Sequence, residues 1–174
     1  MKKQTLLVFL GLIIAVNTSC ENDNQPRNDL ITETDRQFLT TSADETLFQV
    51  NAGQVAAAGG ELKAVRDYGE EMTNNHILAG QALQKLAGDK QVELPTTLSD
   101  DRQQQLDSLT MRSGTALDTL YTQQMLAAQN RMTRVLEIGS ATAKDAGIKA
   151  WASERLPVVR QFADRAKAIR DSLN

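Results

Sequence analysis

The sequence predicts an all-α protein: a four-helix bundle with a short extra helix in its central connection. Three observations lead there. Aromatic residues make up only 4% of the 174 residues while Ala, Leu, Gln and charged residues abound, a composition that favours helix. Apolar residues recur at spacings of three and four through most of the chain, the period of a helix with one buried face. The length leaves room for one domain with a single core.

The N-terminus is read first. Met1-Lys2-Lys3 is a short basic region, Leu6 to Val16 is an apolar run, and Asn17-Thr18-Ser19-Cys20 follows at once. The run is too short for a membrane span. Small residues before a cysteine at its end predict a lipoprotein signal peptide over 1–19, cut so that Cys20 receives lipid. Asn17 stands where Leu is usual, and the alternative is an ordinary secretory signal with an incidental cysteine. Cys20 is the only cysteine, so no disulfide is expected. Residues 20–33 are polar, contain Pro26 and lack apolar periodicity; they read as a flexible tether to a domain over 34–174. The expected location is the cell envelope, lipid-anchored at the outer membrane on its periplasmic or surface side.

The helices follow in order. The first spans about Thr34 to Ala58, with Thr34 as cap and Phe38, Phe48, Ala52 and Val55 on one face, and Gly59-Gly60 breaks it. The second, about Glu61 to Ala87, carries Leu62, Val65, Gly69, Met72, His76, Ala79, Leu83 and Leu86 at alternating spacings of three and four. That is the seam of a left-handed bundle, with His76 in it. Gly88-Asp89 closes the helix. After a loop with Leu94-Pro95, Ser99-Asp100-Asp101 offers a cap and acidic first turn for a short helix to about Met111. Beyond Ser113-Gly114 a long third helix presents Leu117, Tyr121, Met125, Ala128, Met132, Val135 and Gly139. Asp145-Ala146-Gly147 marks a turn or cap. The fourth helix presents Ile148, Trp151, Leu156, Val159, Phe162, Ala166, Ile169 and Leu173, with a kink or local opening expected at Pro157. Leu62-Lys63-Ala64 and Ile148-Lys149-Ala150 form a faint repeat that sets His76 in register with Phe162. Two related hairpins packed together would cover the apolar stripe that neither covers alone.

Phe38-Leu39, Val50-Asn51-Ala52-Gly53, the Met72 to His76 segment, Leu94-Pro95, Leu117-Asp118-Thr119 with Tyr121, and Leu156-Pro157 occur in an order that resembles the bacterial envelope family DUF4142. The resemblance covers about Asp35 to Ile169. It implies a ferritin-like four-helix bundle and an envelope location; it implies no reaction, because the family's activity is not established. The chain departs from the family pattern at polar positions. Asn75-His76 stands in place of an Asp-His pair, Gln49 in place of a Glu, and Gln129 and Gln161-Phe162 in place of further histidines.

A ferritin-like fold raises the question of a di-iron centre, which needs two Glu-x-x-His units on separate helices. His76 is the single histidine and Thr73 stands three residues before it, so that centre is excluded. For a looser metal site His76 and Glu45 are the candidates, but no metal and no cofactor are expected. The competing reading is a buried polar layer in which His76 bonds a facing amide or a backbone carbonyl, with Gln49 and Gln129 as inward-facing partners. No nucleophile triad, dinucleotide fingerprint or phosphate loop is present. The net charge is −3 and no basic patch is interleaved with aromatics, which argues against nucleic acid. The reading that results is a non-enzymatic, lipid-anchored binding or scaffolding bundle, with the membrane and envelope proteins as partners. The alternative is a ferritin-like binder of metal or a small ligand centred on His76.

Overall fold

The structure, a computed structural model, describes residues 31–173. The expected signal peptide, the lipid-bearing Cys20 and the tether as far as residue 30 lie outside them. Among the described residues the protein is all-helical: α1 (Glu33–Gly59), α2 (Lys63–Gly88), α3 (Asp100–Thr110), α4 (Gly114–Thr142) and α5 (Ala146–Ser172). Ile31, ahead of the expected boundary at residue 34, packs on the core.

Helices α1 and α2 form one antiparallel hairpin and α4 and α5 another. The hairpins meet through α1 on α4 and, less extensively, α2 on α5. The chain between Gly88 and Gly114 climbs back along the bundle and lays α3 mainly on α1. Two hairpins joined by one long crossover is the topology of ferritin-like folds.

The helix ends explain why the elements begin and stop where they do. Thr32, and not Thr34, caps α1: its hydroxyl accepts the Asp35 amide at 3.1 Å while Asp35 reaches back to the Thr32 amide and hydroxyl. This reciprocal box satisfies orphan first-turn donors at Thr32, two positions earlier. At α2 the first helical residue is Lys63, and Leu62 is left 39% exposed outside the seam. The amides of Glu61 and Leu62 are held by Asp118 of α4, at 3.0 and 2.8 Å. The converse contact closes the other end, where buried Asp35 of α1 accepts the Lys144 amide of the α4–α5 turn at 3.1 Å. Each hairpin thus supplies a buried carboxylate to the turn of the other. Asp145 caps α5 through the Ile148 amide at 2.9 Å. Helix α5 runs on through Pro157. The proline and Ser153, whose carbonyl loses its helical partner to the proline, are both exposed, and the helix is not broken there.

The interior divides into two apolar clusters. One gathers Phe38, Leu39, Leu83, Leu136, Ile148 and Trp151 near the start of α1. The other gathers Phe48, Tyr68, Met72, Leu109, Tyr121 and Phe162 near its end. Between them along the helices stand Glu45, Gln49, His76 and Gln129, all buried.

Helices α1 and α2 approach most closely at Gly53 and Gly69. A Cβ on Gly69 would lie 2.7 Å from the Gly53 carbonyl oxygen, and one on Gly53 would lie 2.8 Å from the Gly69 carbonyl oxygen. Backbone cannot yield there as a side chain can. Gly69→Ala is expected to lower unfolding stability by about 1–3 kcal/mol through overpacking. Gly88→Ala, whose added Cβ meets nothing within 4 Å, should leave stability unchanged or raise it by up to about 1 kcal/mol. Urea unfolding of the two variants checks the contrast.

Candidate functional site: the polar mid-layer and its groove

The layer consists of three separate arrangements. In the first, the Gln129 amide donates to the Gln49 carbonyl oxygen at 2.7 Å and also contacts the Met72 sulfur at 3.3 Å. The Gln49 amide nitrogen and the Gln129 carbonyl oxygen have no further partner. In the second, Glu45, 3% exposed, holds Arg131 of α4 at 2.9 Å and Arg102 of α3 in a closer contact. Two guanidinium groups on one carboxylate satisfy a charge that would be costly to bury alone.

His76 forms the third. It is 1% exposed, and its Nδ1 donates to the Met72 carbonyl 2.9 Å away, one turn back on its own helix. That bond fixes the neutral tautomer and leaves the lone pair on Nε2, which has no partner. The Phe162 ring packs edge-on at 5.6 Å. Burial, and then the Arg155 guanidinium, push the His76 pKa down to about 4, with the Met72 bond opposing them. Arg155 donates to the Asn75 carbonyl oxygen at 2.8 Å, and its own pKa is lowered by burial.

Of the two bonds expected for His76, to a facing amide or to a backbone carbonyl, the structure forms the second. Gln49 and Gln129 bond each other and not His76, and the imidazole takes the backbone carbonyl. Glu45 is committed to two arginines and is not joined to His76. Among the described residues no group of three His, Cys, Asp or Glu side chains is placed to hold a metal ion. The di-iron chemistry of a ferritin-like fold does not fit the side chains present: the central positions carry an amide pair, and the one central carboxylate is neutralised.

A groove borders this layer. It has a volume of about 840 Å³ and runs between α1, α2 and the crossover residues 92–96. Thr46 and His76 form part of its wall, with Leu47, Val50, Ile77, Leu83, Leu94 and Pro95. On the other side the same Thr46 and His76 border a small closed void with Trp151 and Arg155. The sequence does not reveal the groove, because it is a space left between two helices and a loop. Asp118 stands in the family pattern, but the sequence reading assigns it no role. Its role depends on a contact 56 residues away in the chain, although an Asp in the first turns of a helix whose register faces inward is itself a signal.

The site thus consists of a core histidine held neutral inside a four-helix bundle, beside a mostly apolar groove. The sequence model of a family described as a domain of unknown function, DUF4142, matches residues 20–169; the chain belongs to this family. Neither a curated protein nor a solved structure matches it.

The His76 environment sets a pH dependence. Its folded pKa of about 4 lies below the usual 6.5, so between these values the unfolded chain binds more protons and acid favours unfolding. The stabilisation is fully present above pH 6.5 and is lost as pH falls toward 4, by up to about 3 kcal/mol for a shift of this size. The stability difference between the parent and His76→Gln should follow that slope across pH 4 to 6.5 and flatten above it, as read by denaturant unfolding at each pH.

Proposed function

We propose that the protein is a non-catalytic binding bundle of the cell envelope, held to a membrane by lipid on Cys20 and taking a small apolar ligand in the groove between α1 and α2. The groove carries the binding half of this reading. Its volume of about 840 Å³ falls in the range of small-molecule sites, which are concave and mostly apolar with a few polar groups. The buried carboxylates support a non-catalytic role. Glu45 is bound by arginines, and Asp35 and Asp118 hold backbone amides, so each is engaged in holding the fold. The anchoring half rests on the sequence, in which an apolar run ends at a lone cysteine, and on the family's envelope association.

Each half has its own test. Cells expressing the full chain should incorporate labelled palmitate into the protein and retain it in the membrane fraction, and Cys20→Ser should lose both. Equal membrane retention by Cys20→Ser overturns the anchor. For the groove, Nile red, an uncharged apolar dye, should bind with saturable one-to-one fluorescence enhancement. Gly80 lines the groove, and a Cβ there meets only Thr46 Cγ2 at 3.4 Å, so Gly80→Leu fills the space without a backbone clash. Dye binding unchanged in a folded Gly80→Leu variant overturns the groove as the site.

A further inference from the structure

The groove's polar features share one character. Among the described residues, Glu93 is the only ionisable carboxylate or base along it besides the neutral His76, and no lysine or arginine lines it. Glu93 is exposed, and among the described residues it has no ion pair or hydrogen bond. The His76 ring is buried, with its Nδ1 proton spent on Met72 and its Nε2 inaccessible, so it offers the groove no charged or open polar atom. Gln81 and Gln84, both exposed, add neutral amides. Thr46 and Thr96 add neutral hydroxyls, and the remaining wall is formed by aliphatic side chains and small residues such as Ala43 and Gly80. A ligand with an anionic head would bring its charge beside Glu93 without a cation to receive it, which like-charge juxtaposition disfavours.

We propose that the groove selects single-chain amphiphiles with a cationic head, the apolar chain lying between α1 and α2 and the head group at Glu93. This rests on the groove being the binding site and adds the charge class of its ligand. The apolar chain supplies most of the affinity by burial. Glu93 supplies the discrimination, since it attracts one sign of head group and repels the other. Its position on the crossover, outside every helix, means that it can be changed without disturbing a cap or a buried bond.

The experiment competes two detergents of equal chain length against Nile red on the full folded domain, both below their micelle-forming concentrations: decyltrimethylammonium and decyl sulfate. The ammonium should displace the dye at about tenfold lower concentration, the scale of one attractive and one repulsive charge contact at an exposed rim. Glu93→Gln should weaken the ammonium about fivefold, strengthen the sulfate and leave Nile red affinity unchanged. Glu154→Gln removes another exposed charge, on α5 and outside the groove lining. It should change nothing, which separates a local contact from the chain's net charge of −3. Equal displacement by both detergents, or equal effects of the two Glu→Gln changes, overturns the charge assignment while leaving the groove as a site. Absence of Nile red binding to the parent protein overturns both.

Discussion

The arrangement of this bundle depends on the buried carboxylate of Glu45. The chain leaves α2 at one end of the bundle and must enter α4 at the other, so residues 89–113 have to return along the full length of the helices. Glu45 decides which side they take. Its two arginines come from α3 and from α4, so one carboxylate joins the crossover to both helices of the α1·α4 seam. Removing either arginine would leave part of that charge unmet in a low-dielectric interior, where an unmatched ion costs far more than a well-matched pair gains. Asp44, the adjacent residue, accepts the Ser99 amide and hydroxyl at 2.9 and 2.8 Å, and Leu109 is fully buried beneath α3. The α1·α4 seam is thereby covered. The α1·α2 seam is skirted only by residues 92–96, and the groove is what remains open there.

The mid-layer follows from the same constraint. Gln49 lies one turn beyond Glu45 on α1, facing the interior. The family resemblance implies a carboxylate at that position and histidines on the later helices. In this chain an amide pair, Gln49 with Gln129, occupies the middle of the bundle, and the nearest carboxylate is matched by guanidinium groups in place of a metal. A neutral amide pair needs no cation, and its one strong bond links α1 to α4 at a defined height. Such a bond contributes register more than stability, since its remaining donor and acceptor are left unmet. The two apolar clusters on either side carry the burial.

What the sequence made legible was the part governed by local spacing. The seam of α2 could be read residue by residue, because positions three and four apart share a face. Val65, Met72, His76 and Leu83 are all buried as that spacing requires. Leu62 fails the pattern, since the turn before α2 is shaped by Asp118 from another helix. The cap of α1 was misplaced by two residues for a local reason. Thr32 and Thr34 both qualify by type, and only the Asp35 box distinguishes them. The site was less legible. That His76 is buried followed from the seam, and the faint repeat set it opposite Phe162, whose ring it meets. Arg155, however, also comes from α5, and Glu45's arginines from α3 and α4. Spacing within one helix carries no information about which charged groups a distant helix will bring.

The same separation bears on why a lone histidine persists in a core without acids to pair it. A carboxylate facing His76 would hold it protonated and create a buried ion pair next to Arg155, adding a second cation where one already lacks a carboxylate partner. With Met72 accepting the Nδ1 proton and Arg155 nearby, the ring instead stays neutral and fills the space between the two apolar clusters, its edge against Phe162. A neutral ring can form the wall of an apolar groove at no charge penalty; an imidazolium could not. The burial and the Arg155 charge that keep His76 neutral thus also keep this wall of the groove uncharged, and leave Glu93 as the formal charge along it.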